Sequence, residues 1–474
     1  MKNNILSLFF KFSFGGLISA AISFFTTPII TAIILPNEFG KASMFVLAFN
    51  FLLQFFLLGS DQSFVRFFHQ ENFRNNQSSL LFNAIFGPLV AFFCSLFVIF
   101  LFWKPISMFL IGEANLKLII LLVLTLLLAI IERFSTLLIR MSQQATLFSN
   151  LKIVQSIVNA FVIIFHARYI EASFFSIIYG TVISLFLVAI IGIICERKFW
   201  LKKMKIDKVT IKEIVNYGLP FIPTFIISWI FEGIDKIALR YYSNFAEIGL
   251  YTAATKIVAI LTVLQVTFSN FWVPIAYEAY EGSSAKTKKL FENAFLALSV
   301  LFFTGAIMIV AFKNVIIKLF DKDYLQAAEI MPFLIFMPVM YTLSEITAGG
   351  INFKKRTYWH LFISIICMLV NCIGVFFLVP ILGAKGAAIS TGMAYIVFFY
   401  LRTLISNSLF PLNFHIALTS IAIFLLLIVV FINSFSKDTL LCYIIDFCAL
   451  VVILSLYKNK LIVIYNDYRL NRYK

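Results

Sequence analysis

The stretch SLLFNAIFGPLVAFFCSLFVIFLFW, residues 79–103, runs for 25 residues without one charged side chain. A helix needs about 20 predominantly apolar residues to cross the hydrocarbon layer of a bilayer, whereas a barrel strand needs only about ten. Such a run is too long and too uniform for the core helix of a soluble domain. The same signature recurs along the whole chain. Fourteen segments answer to it: about 12–34, 41–60, 79–103, 116–139, 145–165, 173–195, 214–240, 249–272, 290–312, 326–350, 358–380, 386–405, 413–433 and 440–457. In lipid every backbone N–H and C=O must be satisfied internally, so segments of this length are helices. The expected fold class is all-α integral membrane, with about 14 transmembrane helices.

Composition agrees. Of 474 residues, 62% are hydrophobic and 13% charged, and the mean hydropathy is +0.99. Soluble domains carry about 25% charged residues, so this chain has too little polar side chain to cover a water-facing surface. The 58 Phe suit lipid-facing helices and carry no functional weight. The first span is longer than a signal-peptide apolar core, lacks a small-x-small exit and runs straight into another span, so it is expected to stay. The longest connection, ERKFWLKKMKIDKVTIKE (196–213), leaves no room for a soluble domain. Whatever the chain does, it does inside the bilayer.

Lys and Arg set orientation. With the N-terminus in the cytoplasm, cytoplasmic segments hold 24 of them and the opposite side nine, which places both termini inside. Those cytoplasmic segments also account for the entire net charge of +16. The charge is therefore a record of insertion and implies no nucleic-acid or other acidic partner.

An internal repeat is present at an offset of about 210 residues. Glu38-Phe-Gly40 answers Glu247-Ile-Gly249, Asn83-Ala84 answers Asn293-Ala294, Asn159 answers Asn371, and Gly180 answers Gly392. Residues 1–195 and 214–409 are thus expected to be two six-helix lobes. With an even number of spans in each, they are parallel repeats with a cavity between them. Residues 196–213 form a basic cytoplasmic linker, read either as an amphipathic surface element or as a topology-setting loop. Residues 410–457 add two accessory helices, and 458–474 form a basic tail.

At this point the chain resembles the multidrug/oligosaccharidyl-lipid/polysaccharide exporter superfamily, and within it the Wzx-type polysaccharide biosynthesis flippases. The residues carrying the likeness are Phe14-Gly-Gly16, Glu38-Phe-Gly40, Gly59-Ser-Asp-Gln-Ser-Phe-Val-Arg66, Asp235-Lys-Ile-Ala-Leu239, Ile248-Gly-Leu-Tyr-Thr-Ala-Ala254 and Pro380-Ile-Leu-Gly-Ala-Lys-Gly-Ala-Ala388. The resemblance implies a MATE-like pair of lobes around a central cavity in a bacterial cytoplasmic membrane. Its implied substrate is an undecaprenyl-pyrophosphate-linked oligosaccharide, moved to the outer leaflet for O-antigen, capsule or similar synthesis. It also implies a polysaccharide polymerase and a chain-length regulator as partners, beside the membrane lipids. Span one departs from many drug-exporting relatives, because it holds no ionisable residue and so lacks their first-helix carboxylate. That tilts against a cation-coupled drug antiporter on the same fold, the alternative reading.

Charges at mid-membrane cost several kcal/mol, so each is a functional candidate. In span seven, Glu232, Lys236 and Arg240 recur at i, i+4, i+8 on one face, with Asp235 beside them. Either Glu232 bridges Lys236 while Arg240 snorkels, or this face lines the inter-lobe cavity. Lys256 lies seven residues into span eight, roughly 10 Å from its outer end, with no acidic neighbour at i±3 or i±4. It needs a partner from another helix or from substrate, and a pyrophosphate is one. Lys256, Lys236, Arg240 and Arg66 are the substrate-binding candidates. Glu132 and Glu345 hold near-equivalent places in the two halves and, with Glu232 and Asp235, are candidates for holding the lobes or binding a coupling proton or cation. Asp61 could pair locally with Arg66. Asp446 stands alone in span fourteen, as a helix-contact residue.

The remaining motifs exclude chemistry. The four His and six Cys form no metal-binding spacing. No GxxxxGK[ST] or GxSxG is present, and no loop is large enough for a polymerase. A transporter without catalytic residues, metal or cofactor is expected.

Overall fold

A computed structural model describes residues 2–74, 76–202, 206–280 and 284–472. Lys203, Lys205 and Lys474 lie outside the described residues, as do the side chains of Lys2, Lys11, Lys286, Arg469 and Arg472. The described chain is all-helical, and fourteen helices are long and apolar enough to cross a membrane. In order these are Phe14–Thr31, Pro36–Leu57, Gln77–Leu101, Leu116–Met141, Ala145–Tyr169, Phe174–Cys195, Lys208–Tyr242, Phe245–Tyr280, Thr287–Ala311, Ala327–Thr347, Tyr358–Leu382, Ala384–Leu409, Ile416–Phe435 and Thr439–Lys458. The chain is therefore a multi-pass membrane protein with the expected span count. Outward-facing Phe97, Phe161, Phe377 and Phe447 account for part of the Phe excess, since an exposed apolar ring is at home against lipid.

Contacts divide the chain into two units, Met1–Gly233 and Ile234–Lys474. The sequence pattern puts the second half at residue 214, whereas the contacts keep the beginning of span seven with the first unit. The cause is local. Asp207 caps a helical turn by accepting from the N–H groups of Val209 and Thr210 and from the Thr210 hydroxyl. Those donors hold the Asp207 carboxyl below its ordinary pKa, the Thr210 hydroxyl contributing most. The Asp207 N–H donates to Asn83 Oδ1 at 2.9 Å, and Ser63 Oγ donates to the Ile214 carbonyl at 2.7 Å. Gly59, at φ +69°, meets Gly218 so closely that a Cβ on it would come within 2.3 Å of the Gly218 carbonyl. Further along, the Trp229 indole N–H donates to the Leu47 carbonyl at 3.3 Å and its ring lies 4.3 Å from Phe51. Residues 208–218 are a docked helix with Thr210, Ile214 and Gly218 buried.

Within each unit the same device recurs. Glu38 Oε2 accepts from the Phe174 N–H at 3.0 Å, at the start of span six. Glu247 Oε2 accepts from the Ala384 N–H at 2.8 Å, at the start of span twelve. A carboxylate at a helix N-terminus meets unsatisfied N–H groups and the positive end of the dipole. Acceptors and donors alike are separated by about 210 residues. The packed centres correspond too: 61% of the span-four window and 83% of the span-ten window are buried, the two highest values among the fourteen.

Candidate functional site

Asp235 is buried, only 3% exposed. Span seven carries it into the second unit, and three neutral donors converge on it. Tyr251 Oη from span eight donates at 2.7 Å, Thr391 Oγ1 from span twelve at 2.8 Å, and Asn371 Nδ2 from span eleven at 3.4 Å. Ser390 Oγ in turn donates to Asn371 Oδ1 at 2.7 Å, which fixes the amide. A Cβ at Gly374 would fall 2.4 Å from Ser390 Oγ, so the glycine admits that hydroxyl. The carboxylate is thus buried and held by neutral donors. No three His, Cys, Asp or Glu side chains converge among the described residues, so the oxygens here are one carboxylate, hydroxyls and an amide.

The rest of the span-seven face divides. Glu232 is exposed while Lys236 and Arg240 are half-buried, and the Arg240 guanidinium sits 4.5 Å from the centre of the Phe245 ring. Asp235 takes its hydrogen bonds from spans eight, eleven and twelve. Lys256 is half-buried on span eight and meets no hydrogen-bond or ion-pair partner among the described residues. It follows Tyr251 by five residues, about 140° round the helix, so it faces elsewhere than the Asp235 cluster. That is the isolation expected of it from its spacing.

The paired carboxylates find partners inside their own units. Glu132 Oε1 accepts from Lys152 Nζ at 3.4 Å, and Lys152 also reaches Gln155 Oε1 at 3.3 Å. Glu345 Oε2 accepts from Arg402 Nη1 at 3.1 Å, and Arg402 also reaches Ser344 Oγ at 3.1 Å. Two of these partners escape a reading by sequence. Lys152 lies seven residues into span five, as deep as Lys256 in span eight, and its spacing does not point to Glu132; Arg402 reads as a topology-setting charge but is 6% exposed in a buried pair. Asp61 is corrected outright. Its partner is Arg133, through Nη2 at 2.6 Å and Nε at 3.2 Å, rather than Arg66. Arg66 is exposed at the end of its helix. Asp446 accepts from Asn433 Nδ2 at 2.7 Å, and Lys313 donates to the Asn433 carbonyl, so span fourteen is tied to its neighbours as a helix contact.

In the first unit, Lys152 lines a cavity of about 290 Å³ with Ser19, Gln155, Ser156, Asn159 and Thr181. Cations, amides and hydroxyls inside membrane helices suit a polar cargo. The sequence profile of the polysaccharide biosynthesis protein family matches residues 6–280, more than half of the chain. The chain belongs to this family.

Solved structures place that membership on a known fold. Lipid II flippase MurJ in an inward closed conformation superposes with a TM-score of 0.66 at 16% identity, covering 95% of this chain and 99% of that one. An outward-facing multidrug resistance MATE family transporter of the MOP superfamily gives 0.57 at 14% identity, covering 85% and 94%. At such identities the likeness is one of fold. An uncharacterised membrane protein of Methanocaldococcus jannaschii is 25% identical over 449 residues, 88% of either chain. The expected MATE-like, all-helical architecture is thus the one observed.

Proposed function

We propose that this chain translocates undecaprenyl-pyrophosphate-linked oligosaccharide repeat units from the cytoplasmic to the outer leaflet by alternating access, for surface polysaccharide synthesis. The observation that carries the reading is Lys256, a cation inside a membrane helix with no partner among the described residues. A charge there is costly unless a counter-charge arrives, and a pyrophosphate headgroup supplies one. Lys236 and Arg240 extend the basic face, and exposed Arg66 receives the headgroup at the cytoplasmic side. Both termini lie in the cytoplasm in this reading, and a polymerase with its chain-length regulator takes the delivered units. Asp235 supplies the coupling site, where a proton or small cation binds among oxygen atoms that are already in place. Glu132 and Glu345 hold helices within their units.

Lys256→Ala tests the reading in cells making the polysaccharide. Lipid-linked repeat units should accumulate in the cytoplasmic leaflet, with surface polysaccharide falling at least tenfold, a loss of about 1.4 kcal/mol or more of headgroup recognition. Normal surface polysaccharide from a correctly inserted variant refutes it. A drug antiporter on the same fold would instead show substrate-stimulated ion flux in proteoliposomes, abolished by Asp235→Asn.

A further inference from the structure

The second unit holds another cavity, of about 270 Å³, whose lining includes neither Asp235 nor Lys256. Part of its wall is aromatic. Trp272 and Phe291 meet edge to face at 4.8 Å, Phe291 and Phe353 at 5.7 Å, and Tyr277 and Phe353 at 5.7 Å. Gly349 makes room for this wall, since a Cβ there would lie 2.9 Å from the Phe353 ring and 3.1 Å from Phe291. The rest of the lining is polar: Glu345, Arg402, Asn352 and His360.

The polar groups are partly spent on each other, and what remains is informative. Arg402 holds Glu345 through Oε2 alone, leaving Oε1 without a partner among the described residues, and Arg402 Nε is buried with no acceptor. The guanidinium is fixed over Tyr341 and Phe398, 5.7 and 5.4 Å from the ring centres. His360 Nε2 lies 2.8 Å from Asn352 Oδ1, and the Asn352 amide N–H groups donate to nothing among the described residues. The cavity therefore offers an acceptor, amide donors and an aromatic face, while its ion pair cancels its charge. An inorganic anion would meet Glu345, and an organic cation would meet Arg402. A sugar ring meets neither objection: its C–H face packs on aromatic rings, and each hydroxyl both donates and accepts. The volume is close to the ~300 Å³ lower end of small-molecule sites, room for one ring.

We propose that this cavity binds a single pyranose unit, using Trp272, Tyr277 and Phe353 as the stacking wall and Glu345, Arg402 and Asn352 for the hydroxyl groups. The flippase reading enters only in naming the source of that sugar, the oligosaccharide of the lipid-linked cargo. The site would let the second unit select the glycan while the cations hold the headgroup.

The test uses the full chain in lipid nanodiscs, with Trp272 as the reporter among five tryptophans. Methyl pyranosides (neutral, acetamido and acidic) are titrated while tryptophan fluorescence is read. At least one should give a saturable change at millimolar concentration. The change should vanish in Trp272→Phe. It should need roughly tenfold more sugar in Glu345→Gln and in Asn352→Ala, where one charged or neutral hydrogen bond to the ring is lost. Asn352→Ala keeps the Arg402–Glu345 pair, so a fold disturbed by Glu345→Gln does not decide the matter. Lys256→Ala should bind the sugar as wild type does.

No saturable change with any pyranoside overturns the proposal. So does a change that survives Trp272→Phe, or wild-type affinity in Asn352→Ala. Saturation by phosphate or tetramethylammonium without a sugar response overturns it as well. If Lys256→Ala exports normally while sugar binding persists, the flippase reading falls and the pocket stands. If Lys256→Ala blocks export but no sugar binds, the pocket alone falls.

Discussion

Spans one, two, five and six of the first unit and spans seven, eight, eleven and twelve of the second are related by the offset of about 210 residues. One set encloses a polar cavity of about 290 Å³, and the other gathers hydrogen-bond donors around a buried carboxylate. The asparagine common to both makes the contrast concrete. Asn371 is fully buried and bonded to Asp235 and Ser390, whereas Asn159 Oδ1 has no partner and its residue faces the cavity. Span one offers Ser23, Phe24, Phe25 and Thr26 where span seven offers Asp235. Without a carboxylate to gather donors, the first four-helix group stays hollow and keeps Lys152 for its polar wall. A duplicated scaffold has thus been given opposite charges: Lys152, paired with Glu132, beside a cavity, and Asp235 buried among hydrogen-bond donors.

The largest predicted effect attacks the filled member of the pair. Asp235→Leu removes the acceptor of three buried donors, each of which costs about 1–3 kcal/mol when left unsatisfied. Purified protein in detergent should lose several kcal/mol, read as a marked fall in its thermal midpoint. Asp235→Asn keeps shape and one acceptor, so it should fold better than Asp235→Leu while still losing coupled transport. A Leu variant that melts with the wild type would mean that the carboxylate does not organise this cluster.

A smaller effect compares the two asparagines directly. Asn371→Ala deletes a buried donor to Asp235 and one of two acceptors of Ser390, which keeps the Asn371 backbone carbonyl at 2.8 Å, so roughly 1–3 kcal/mol is expected. Asn159→Ala removes an amide that bonds to nothing described and should cost under about 1 kcal/mol. Equal losses, measured by chemical or thermal unfolding of the two variants in parallel, would erase the distinction between hollow and filled.

Much of the fold could be read before any coordinates, because a bilayer imposes one requirement that uniform apolar runs of 20 or more residues meet directly. The site was legible in a narrower sense. A charge such as Asp235 or Lys256 inside an apolar run announces itself, since its burial is expensive. What answers it does not. Asp61 and Arg133 are 72 residues apart, and nothing in the spacing of either selects the other over Arg66. Arg402 shows the same limit from the opposite side: four residues from a span end it looks like an interfacial cation, and only packing reveals the Glu345 pair and the two rings that enclose it. Lys152 lies as deep in span five as Lys256 does in span eight, and what its sequence hides is the pairing with Glu132, 20 residues away. Of the neutral donors around Asp235, Asn371 shows only as a repeat position and Tyr251 only within a family motif, because Tyr, Thr and Asn are ordinary residues in a membrane helix until a carboxylate turns up beside them.

The smallest effect concerns what the two units share. Glu38 and Glu247 each cap the helix that closes their half, so Glu38→Gln and Glu247→Gln should cost nearly the same. A carboxylate at a helix N-terminus contributes about 0.3–1 kcal/mol near a surface and up to ~2 when partly buried. Gln keeps an acceptor, which puts the loss toward the lower figure. Glu38 also makes a half-buried 2.9 Å pair with Lys41 at i+3, and a helix pair of that kind adds only a few tenths of a kcal/mol. The expected order is Glu38→Gln slightly above Glu247→Gln, both within about 1.5 kcal/mol of wild type. High salt should narrow the gap, because it screens the Lys41 pair more than the enclosed cap. If one variant is neutral while the other unfolds its unit, the two caps are not equivalent despite their matching geometry, and the hollow and filled groups differ in architecture as well as in contents.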